Sequence, residues 1–406
     1  MKSKLDLYIK EGWAKARTTG TEEDLDMPFP YIPPSIDGLF RTLYYWDTYF
    51  TNIGLNADGH TDWARENVDN LLFALNHFGC VPNYTRKGGA DFCSQPPLLS
   101  LMVRDIYMWL KDEEWLKVAV QGLEKEYKFW MTERITPIGL NQYGCNAKDE
   151  KVLLDYFDYA SDRVTLDKNL PKEEKLWVAK NFVAEAESGQ DYNPRYDHHN
   201  SLDYVQIDLN SHLYGLEDFL CNYFDGKDKE KYEYYKKQKE KRVELIEKYC
   251  YNEELGVYCD YDFVSGKKND IICTACFLPY FYGFAKEKSG AKRVYDVLKC
   301  KGGVVACQDT GDREFQWGYP YIWAPCQFFA YNALKNSGFE CEAEELRLNY
   351  VNLLSSVYEK TGALWERYEE DGEAKDLEYP NQQMLGWTAG VYRYFCMQDK
   401  NCEHKI

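Results

Sequence analysis

The sequence predicts an all-α fold built from helical hairpins. Apolar residues recur at positions i, i+3, i+4 and i+7 in most of eleven long segments, which is the period of an amphipathic helix. Strand patterns are few and short, and residues 256–263 (GVYCDYDF) are the clearest example. No Pro/Ser-rich or low-complexity linker divides the 406 residues, so we expect a single domain over residues 1–406.

The predicted helices follow one another along the whole chain. In order they cover residues 62–78, 97–110, 114–132, 172–187, 208–223, 229–249, 271–285, 291–298, 319–337, 342–358 and 383–395. The pair Pro96-Pro97 coincides with the start of the second segment, and proline is favoured in the first turn of a helix. The helix at 172–187 is expected to end near Glu187, because Gly189 permits a sharp turn.

Loops rich in Gly, Asn, Pro and aromatic residues separate the helix pairs, for example residues 28–40 (PFPYIPPSIDGLF) and 187–204 (ESGQDYNPRYDHHNSLDY). We expect these loops to gather at one end of the helical scaffold and to carry the functional residues. The sequence has no strand–GxGxxG–helix unit, P-loop or GxSxG elbow, so it gives no support to nucleotide binding or serine-hydrolase chemistry.

Charge limits the range of partners. The chain has 67 acidic and 49 basic residues, a formal net charge of −18, which repels nucleic acid and anionic membrane surfaces. No apolar run reaches the length of a membrane helix. Scattered cysteines and the absence of a signal-peptide pattern lead us to expect a cytoplasmic protein, with a homo-oligomer left open.

The aromatic content indicates a carbohydrate ligand. The chain has 35 Tyr, 20 Phe and 11 Trp, 16% of all residues. A Tyr or Trp ring combines a flat apolar face with a polar edge, which suits the C–H faces and hydroxyl rims of sugars. An aromatic-rich core is the alternative explanation, and most of these rings must belong to the core.

Two carboxylates are candidate catalytic groups. Asp191 follows the turn at Gly189 among aromatic neighbours, and an apolar wall favours the protonated form that a general acid needs. Glu366 lies between Trp365 and Arg367, where a cation could keep it ionised to activate water. Taken alone, each carboxylate is explained better as an ordinary structural residue.

Six segments in the right order resemble trehalases. Residues 44–50 (YYWDTYF) and 316–325 (QWGYPYIWAP) look like the two trehalase signatures. The further matches are residues 94–97 (SQPP), 187–191 (ESGQD), 365–368 (WERY), and 378–380 (EYP) with 386–388 (GWT). Length and layout are most similar to the compact mannosylglycerate and glucosylglycerate hydrolases, so the resemblance covers glycoside hydrolase families 37 and 63.

The resemblance implies an (α/α)6 toroid and inverting hydrolysis of a small α-glycoside, without metal or cofactor. It makes Asp191 the general acid and Glu366 the general base, with α-glucosidase-like specificity expected. The residues expected to bind the sugar are Tyr45, Trp46, Asp47, Gln95, Arg195, Gln316, Trp317, Trp323, Trp365, Glu378 and Trp387. In this interpretation Asp47 accepts hydrogen bonds from sugar hydroxyls, the tryptophans form walls, and Gln95, Gln316 and Arg195 donate.

The departures from the trehalase pattern affect the aglycone side. Two substrate-binding arginines of trehalases correspond here to Leu39 and Cys93, and Gly318 replaces an aspartate of the second signature. A guanidinium fixes hydroxyls in ways that Leu and Cys cannot. The alternatives are trehalase itself, a mannosylglycerate or glucosylglycerate hydrolase, a sugar epimerase, which would use histidine pairs, and a non-catalytic sugar-binding toroid.

Overall fold

Helices dominate the structure, a computed structural model that describes residues 4–89, 92–196, 199–373, 380–383 and 386–398. These residues form fourteen α-helices: α1 Lys4–Ala16, α2 Tyr45–Ala57, α3 Thr61–Phe78, α4 Leu99–Leu110, α5 Glu113–Glu133, α6 Glu150–Ser161, α7 Lys172–Glu187, α8 Ile207–Phe224, α9 Lys229–Tyr249, α10 Leu278–Phe281, α11 Ser289–Leu298, α12 Ala324–Asn336, α13 Glu340–Thr361 and α14 Gly386–Met397. None of the described helices is both long and apolar enough to cross a bilayer.

Short strands connect the helices. They are β1 Tyr204–Val205, β2 Tyr251–Asn252, β3 Val257–Tyr258, β4 Tyr261–Asp262, β5 Lys267–Lys268, β6 Lys299–Cys300, β7 Gly303–Val304, β8 Ile322–Trp323, β9 Arg367–Glu369 and β10 Gly372–Glu373. They pair antiparallel in the orders β1-β4-β5, β10-β9-β8, β2-β3 and β6-β7.

Six helices form an inner ring: α2, α4, α8, α10, α12 and α14. Each contacts the next one in this order, and α14 contacts α2, so the ring closes. The inner helices are largely buried; in α2, every residue from Tyr45 to Asn56 is buried. Polar side chains of such a helix bond to its neighbours instead of water, as Asn52 does with Ala64 and Asn67 of α3.

Six other helices, α1, α3, α5, α9, α11 and α13, lie outside this ring. They bury one face each, and α9 buries only Tyr235, Arg242 and Ile246. The outer helices therefore carry the amphipathic pattern that predicted an all-α fold, and the twelve helices together form the predicted (α/α)6 toroid. The expectation of the fold class is confirmed.

The remaining two helices, α6 and α7, form an additional hairpin with its own small core. Leu153, Phe157 and Ala179 belong to this core. Asp149 caps the start of α6 by accepting a hydrogen bond from the Lys151 backbone at 2.8 Å. The hairpin matters for the site because the segment that follows α7 contains Asp191.

Ring closure depends on two facing glycines. A side chain at Gly54 in α2 would collide with the backbone of Gly390 in α14. In turn, a side chain at Gly390 would overlap the backbone oxygen of Phe50. Glycine at both positions allows the first and last inner helices to approach backbone to backbone.

Most predicted helices agree with the structure, and those at 172–187 and 229–249 agree at both ends. The helix predicted to begin at Pro97 begins at Leu99 instead, and Leu98 is its N-cap residue. The strand predicted at 256–263 is divided into β3 and β4. Helices α1, α2 and α6 were not predicted.

The prediction of one helix over residues 271–285 is wrong. The chain instead forms a 3-10 turn, Thr274–Phe277, followed by the single-turn helix α10. The backbone N–H of Thr274 donates to Ala306 at 2.9 Å, and Cys273 pairs with Cys307 as an isolated bridge. These backbone bonds to a neighbouring segment compete with helix formation, and Pro279 cannot donate a helical hydrogen bond.

Candidate active site

A cavity of about 300 Å³ opens where α2, α12 and α14 begin. Helices α2 and α14 supply its walls from their first residues and β8 supplies Trp323, and the segments before α4 and after α7 also contribute. Nine of the predicted site residues line it: Trp46, Asp47, Gln95, Asp191, Gln316, Trp317, Trp323, Glu366 and Trp387. The loops expected at one end of the scaffold thus meet there.

A tight turn brings Asp191 to this cavity. Gly189 has φ of +70°, and a side chain on it would lie 2.6 Å from the Trp46 ring, so only glycine fits. The Gln316 amide donates to one Asp191 carboxylate oxygen at 3.0 Å. The Arg163 guanidinium lies 3.7 Å from the same oxygen. The Asp191 side chain is 27% exposed, so it faces the open cavity while two donors orient it.

Glu187 fixes the segment that carries Asp191. Its buried carboxylate accepts two hydrogen bonds from the Arg134 guanidinium, at 2.7 and 2.8 Å. It also accepts from the backbone of Ser94 at 2.8 Å and of Gly144 at 2.6 Å. The buried Glu187 carboxylate therefore joins the end of α7 to the Ser94-Gln95 segment. This structural role explains the glutamate at the start of the 187–191 motif, which ends in Asp191.

Strand pairing brings Glu366 to the same cavity. In the β8–β9 pair, Arg367 lies opposite Trp323, so Glu366 stands directly before the paired residues. The Trp387 indole donates to the Glu366 backbone oxygen at 3.1 Å, and the Glu366 N–H donates to Gln382 at 2.9 Å. The Arg367 guanidinium approaches the Glu366 carboxylate at 3.4 Å, as its position in the sequence predicted.

Four tryptophans form a continuous aromatic wall. Trp317 and Trp323 stack with ring centroids 4.0 Å apart and planes at 9°. Trp46 lies 5.6 Å from Trp317, and Trp387 lies 5.7 Å from Trp323 at nearly right angles. Because each ring supports the next, the wall is rigid before any ligand arrives.

Asp47 has an unusual protonation state. Burial, followed by the charge of nearby Glu366, raises the pKa of Asp47 to about 8. At neutral pH the Asp47 carboxyl is therefore mostly protonated and can donate a hydrogen bond as well as accept one. The sequence had suggested acceptance alone.

Arg195, predicted to donate to the sugar, is placed outside this cavity. Its guanidinium is fully buried and contacts the Asp208 carboxylate at 3.2 Å and the Asp260 carboxylate at 3.4 Å. Burial has the largest effect on the pKa of Asp260 and raises it. The Arg195 cation lowers this pKa and the Asp208 charge raises it, and the resulting value is about 6. These ion pairs anchor the loop that follows Asp191 to Asp208 and Asp260.

Tyr45 and Trp365 also lie outside the cavity lining. The Tyr45 hydroxyl donates to the buried Glu126 carboxylate, which lies among the helices rather than in the site. The Trp365 indole donates to Thr361 at 3.2 Å. Glu378 lies outside the described residues.

Several cavity residues were missed by the sequence reasoning. Arg163 is the most important, since it is the arginine that lines the cavity within the described part of the chain. It stacks on the Tyr192 ring at 3.8 Å, and Tyr192 has a left-handed φ of +57°. No sequence signal marked Arg163, which follows α6 far from any matched motif. The other missed lining residues are mostly aromatic: Phe40, Tyr44, Asn83, Tyr84, Phe92, Tyr156, Tyr159, Val183 and Ala186.

Cys93 and Leu39, which stand where trehalases have arginines, lie in different surroundings. Cys93 is buried and lines the cavity, and burial raises the pKa of its thiol well above the usual value, so it contributes no charge. Leu39 is exposed and does not line the cavity. Arg163, from a different segment, contributes a cation to the cavity.

A toroid whose one end holds a cavity lined by carboxylates, stacked tryptophans and polar donors is the architecture of a glycoside hydrolase. The trehalase family model matches residues 5–398, and the chain belongs to the trehalase family. It is an inverting α-glycosidase of a small α-glycoside. The periplasmic trehalase of Salmonella dublin is 29% identical over 408 residues, covering 93% of this chain and 70% of the relative.

Solved structures have the same fold. The neutral trehalase of Saccharomyces cerevisiae superposes with a TM-score of 0.76 at 25% identity, covering 91% of this chain and 73% of that one. A family 63 mannosylglycerate hydrolase from Thermus thermophilus gives a TM-score of 0.65 at 16% identity, covering 97% of this chain and 100% of that one. At that identity the second likeness shows the fold alone.

The expectation of a cytoplasmic protein is contradicted, since curated relatives at 29% identity are named periplasmic trehalases. That expectation relied on the scattered cysteines and on the absence of a signal-peptide pattern. Within the described residues the cysteines are unpaired and most are buried. A buried free thiol behaves as a small apolar side chain, so these cysteines do not report where the protein resides.

Proposed function

We propose that the chain is an inverting α-glucosidase in which Asp191 is the general acid and Glu366 the general base. The observation that carries this proposal is that the two carboxylates, 175 positions apart in the sequence (366 − 191), line one cavity. Asp191 would protonate the departing glycosidic oxygen, while Glu366 would deprotonate a water on the other face of the sugar. Inversion requires about 6.5–9.5 Å between the carboxyl groups to admit that water.

The contacts of the two carboxylates favour this division of roles. Asp191 is partly exposed and oriented by the Gln316 amide, so it can reach a leaving group from the open side. Glu366 is buried to 3% exposure beside the Arg367 guanidinium, and a neighbouring cation stabilises the carboxylate form that a base needs. The tryptophan wall would pack against the glycone between them.

The aglycone would lie beside Arg163. A general acid must touch the leaving oxygen, so the groups around Asp191 mark the aglycone side, and Arg163 is among them. Trehalose is one candidate, because relatives are named trehalases. We favour an α-glucoside with a different polar aglycone, because the Leu39 and Cys93 positions lack the arginines of the trehalase pattern.

We further propose that residues 1–406 act as a single domain. Support comes from one hydrophobic core cluster that runs from Leu5 in α1 to Phe395 in α14. The α6–α7 hairpin would be part of this domain, because its following segment contributes Asp191 to the shared cavity.

The proposal is tested by the configuration of the first product. Purified protein is screened against trehalose, kojibiose, mannosylglycerate, glucosylglycerate and aryl α-glucosides, and the best substrate is followed by proton NMR. The β-anomer should appear first and then mutarotate. An α-anomer formed first would mean retention and would require a carboxylate nucleophile, Glu366 or Glu378.

The same screen separates the hydrolase from a sugar epimerase. An epimerase would exchange solvent deuterium into the sugar without releasing an aglycone. Proton transfer at carbon commonly uses histidine, yet no described histidine lines the cavity. His212, the most buried of them, has its pKa lowered to about 3 by burial and bonds the Tyr282 hydroxyl at 2.9 Å instead.

A further inference from the structure

A second cavity, of about 960 Å³, opens at the opposite end of the toroid. The helices that begin at the candidate active site end at this second cavity, which we call the distal cavity. In α2, for example, Trp46 lines the first cavity and Asn56 the distal one. Ten helical residues span about 15 Å, so the two cavities are separate.

A packed layer separates the two cavities. Phe50 and Phe328 pack with ring centroids 5.8 Å apart, and Phe329 packs against Phe50 at 5.7 Å. The buried His212 packs on Phe329 and bonds Tyr282 at 2.9 Å. This layer is aromatic core, so a ligand in the distal cavity does not touch the candidate catalytic carboxylates.

Tyrosine dominates the aromatic wall of the distal cavity. Six tyrosines line it, together with Trp109, whereas an aliphatic ligand would be matched by Leu, Ile and Phe alone. Tyrosine provides a flat face and a hydroxyl in the same side chain. The six are Tyr49, Tyr107, Tyr214, Tyr223, Tyr282 and Tyr394.

The charges that line the distal cavity balance. Arg104 and Asp105 form an ion pair at 2.7 Å within the lining. The other two charged lining residues are Asp218 and Lys227, one of each sign. An equal number of positive and negative groups favours a neutral ligand over an anion or a cation.

Two buried polar oxygens beside the distal cavity lack a partner. Asn56 is 6% exposed and Ser100 is 2% exposed, and both line the cavity. Among the described residues, neither the Asn56 side-chain oxygen nor the Ser100 hydroxyl has a hydrogen-bond partner. Buried polar groups are nearly always paired, so a ligand donor that reached these two oxygens would satisfy them.

From these features we propose that the distal cavity is a second binding site, for a neutral saccharide. Its volume falls within the range of small-molecule sites and is about three times that of the candidate active site. Sugar C–H faces would stack on the tyrosines and Trp109, and sugar hydroxyls would pair with Asn56 and Ser100. The site binds sugar without performing chemistry, so it is independent of the roles proposed for Asp191 and Glu366.

Equilibrium dialysis against labelled maltose tests this site. The protein carries Glu366→Gln to suppress turnover, and the expected stoichiometry is two maltose molecules per chain. Trp109→Ala and, separately, Asn56→Leu should each reduce the stoichiometry to one. Trp109 is 58% exposed, so its removal leaves the core intact.

Trp177→Ala is the matched control. Trp177 is 48% exposed on α7 and lines neither cavity, so this variant should still bind two molecules. The proposal is overturned if neither distal variant binds one maltose molecule fewer than the parent protein does. An equal loss in Trp177→Ala also overturns it. Circular dichroism melts identify any unfolded variant, and Trp109→Ala decides if Asn56→Leu unfolds.

Free glucose in the dialysate would report a failure of a different kind. It would mean that Glu366→Gln still hydrolyses maltose and that the proposed base is wrong. The second site would then be judged with maltose in protein carrying Asp191→Asn as well.

Discussion

At the residue scale, the different surroundings of Asp191 and Glu366 predict different responses to the leaving group. Asp191→Asn removes the proton donor, so turnover of an alkyl α-glucoside should fall roughly 10²–10⁴-fold. Its effect on α-glucosyl fluoride should be much smaller, because fluoride departs with little protonation. Glu366→Gln removes the base that activates water, so both substrates should lose activity by similar factors. Steady-state kcat/KM on the two substrates measures this.

Both substitutions keep the side-chain shape, so each variant is the control for the other. Equal losses on both substrates for Asp191→Asn would contradict its role as the acid. Adding azide or another small nucleophile to either variant should not restore a product of retained configuration, since no covalent intermediate is expected.

Asp47 predicts a dependence of stability on pH. Its folded pKa of about 8 exceeds its ordinary value of 3.8, so the folded protein holds a proton that the unfolded chain loses. This contribution to stability is complete below about pH 4 and is lost as the pH rises toward 8. Asp47→Asn cannot titrate, so its unfolding free energy should rise relative to wild type by about 1.4 kcal/mol per pH unit between pH 5 and 8. Urea unfolding at each pH measures the difference.

Asp309→Asn is a suitable control for this titration. The hydrogen bond from Arg313 lowers the pKa of the exposed Asp309. Asp309 is therefore ionised in both states above pH 5, and its variant should show a constant offset from wild type between pH 5 and 8. A constant offset for Asp47→Asn as well would show that Asp47 is ionised in the folded protein.

At the element scale, the contact between α2 and α14 predicts a strong effect of one methyl group. Gly390→Ala would overlap the Phe50 backbone, which cannot move as a side chain can. The variant should lose roughly 3 kcal/mol of stability or more, and also activity, because Trp46 and Trp387 belong to the same two helices. Denaturant unfolding and kcat/KM are the measurements.

Gly122→Ala provides the comparison for Gly390→Ala. Gly122 is in the outer helix α5, and an added methyl there meets only the end of the Leu72 side chain. Leu72 can rotate away, and alanine favours the helix by about 1 kcal/mol, so the net cost should be small. Equal destabilisation by the two substitutions would exclude a special role for the α2–α14 contact.

Five of the six outer helices could be predicted from sequence because half of each faces water, which gives apolar residues their helical period; α1 is the exception. Helix α2 was missed because its polar residues, such as Thr51 and Asn52, are buried together with its apolar ones, so polarity does not mark one face of it. The segment at 271–285 was misassigned because apolar content was mistaken for periodicity. Its backbone pairs with residues 306 and 307, which are distant in sequence and invisible to local rules.

The candidate site likewise contains residues that could be predicted from sequence and residues that could not. Asp191, Glu366 and the tryptophans lie in recognisable motifs, so sequence could bring them together without a structure. Arg163 could not be found in that way, because it reaches the cavity through the α6–α7 hairpin and matches no motif. Arg195 matches a motif but lies behind the cavity, where it pairs with Asp208 and Asp260.

At the scale of the whole molecule, the replacement of two arginines predicts the substrate preference. Trehalose should be a poor substrate, with kcat/KM below about 10⁴ M⁻¹s⁻¹, while another α-glucoside exceeds this value. Arg163→Gln should reduce kcat/KM on the preferred substrate more than on α-glucosyl fluoride, whose leaving group is too small to touch it. Efficient trehalose cleavage would show that Arg163 alone replaces both family arginines.

The contact between the first and last inner helices also determines when the enzyme can appear during its synthesis. Trp46 is in α2, and its neighbour Trp387 is in α14, 341 positions later (387 − 46). A ribosome must therefore release α14 from its exit tunnel before the aromatic wall can assemble. Every shorter nascent chain is a ring with a gap that exposes the apolar flank of α2. Chaperones that recognise exposed apolar segments should consequently stay bound to the nascent chain until α14 has left the exit tunnel, and glycosidase activity should appear in a single step after that.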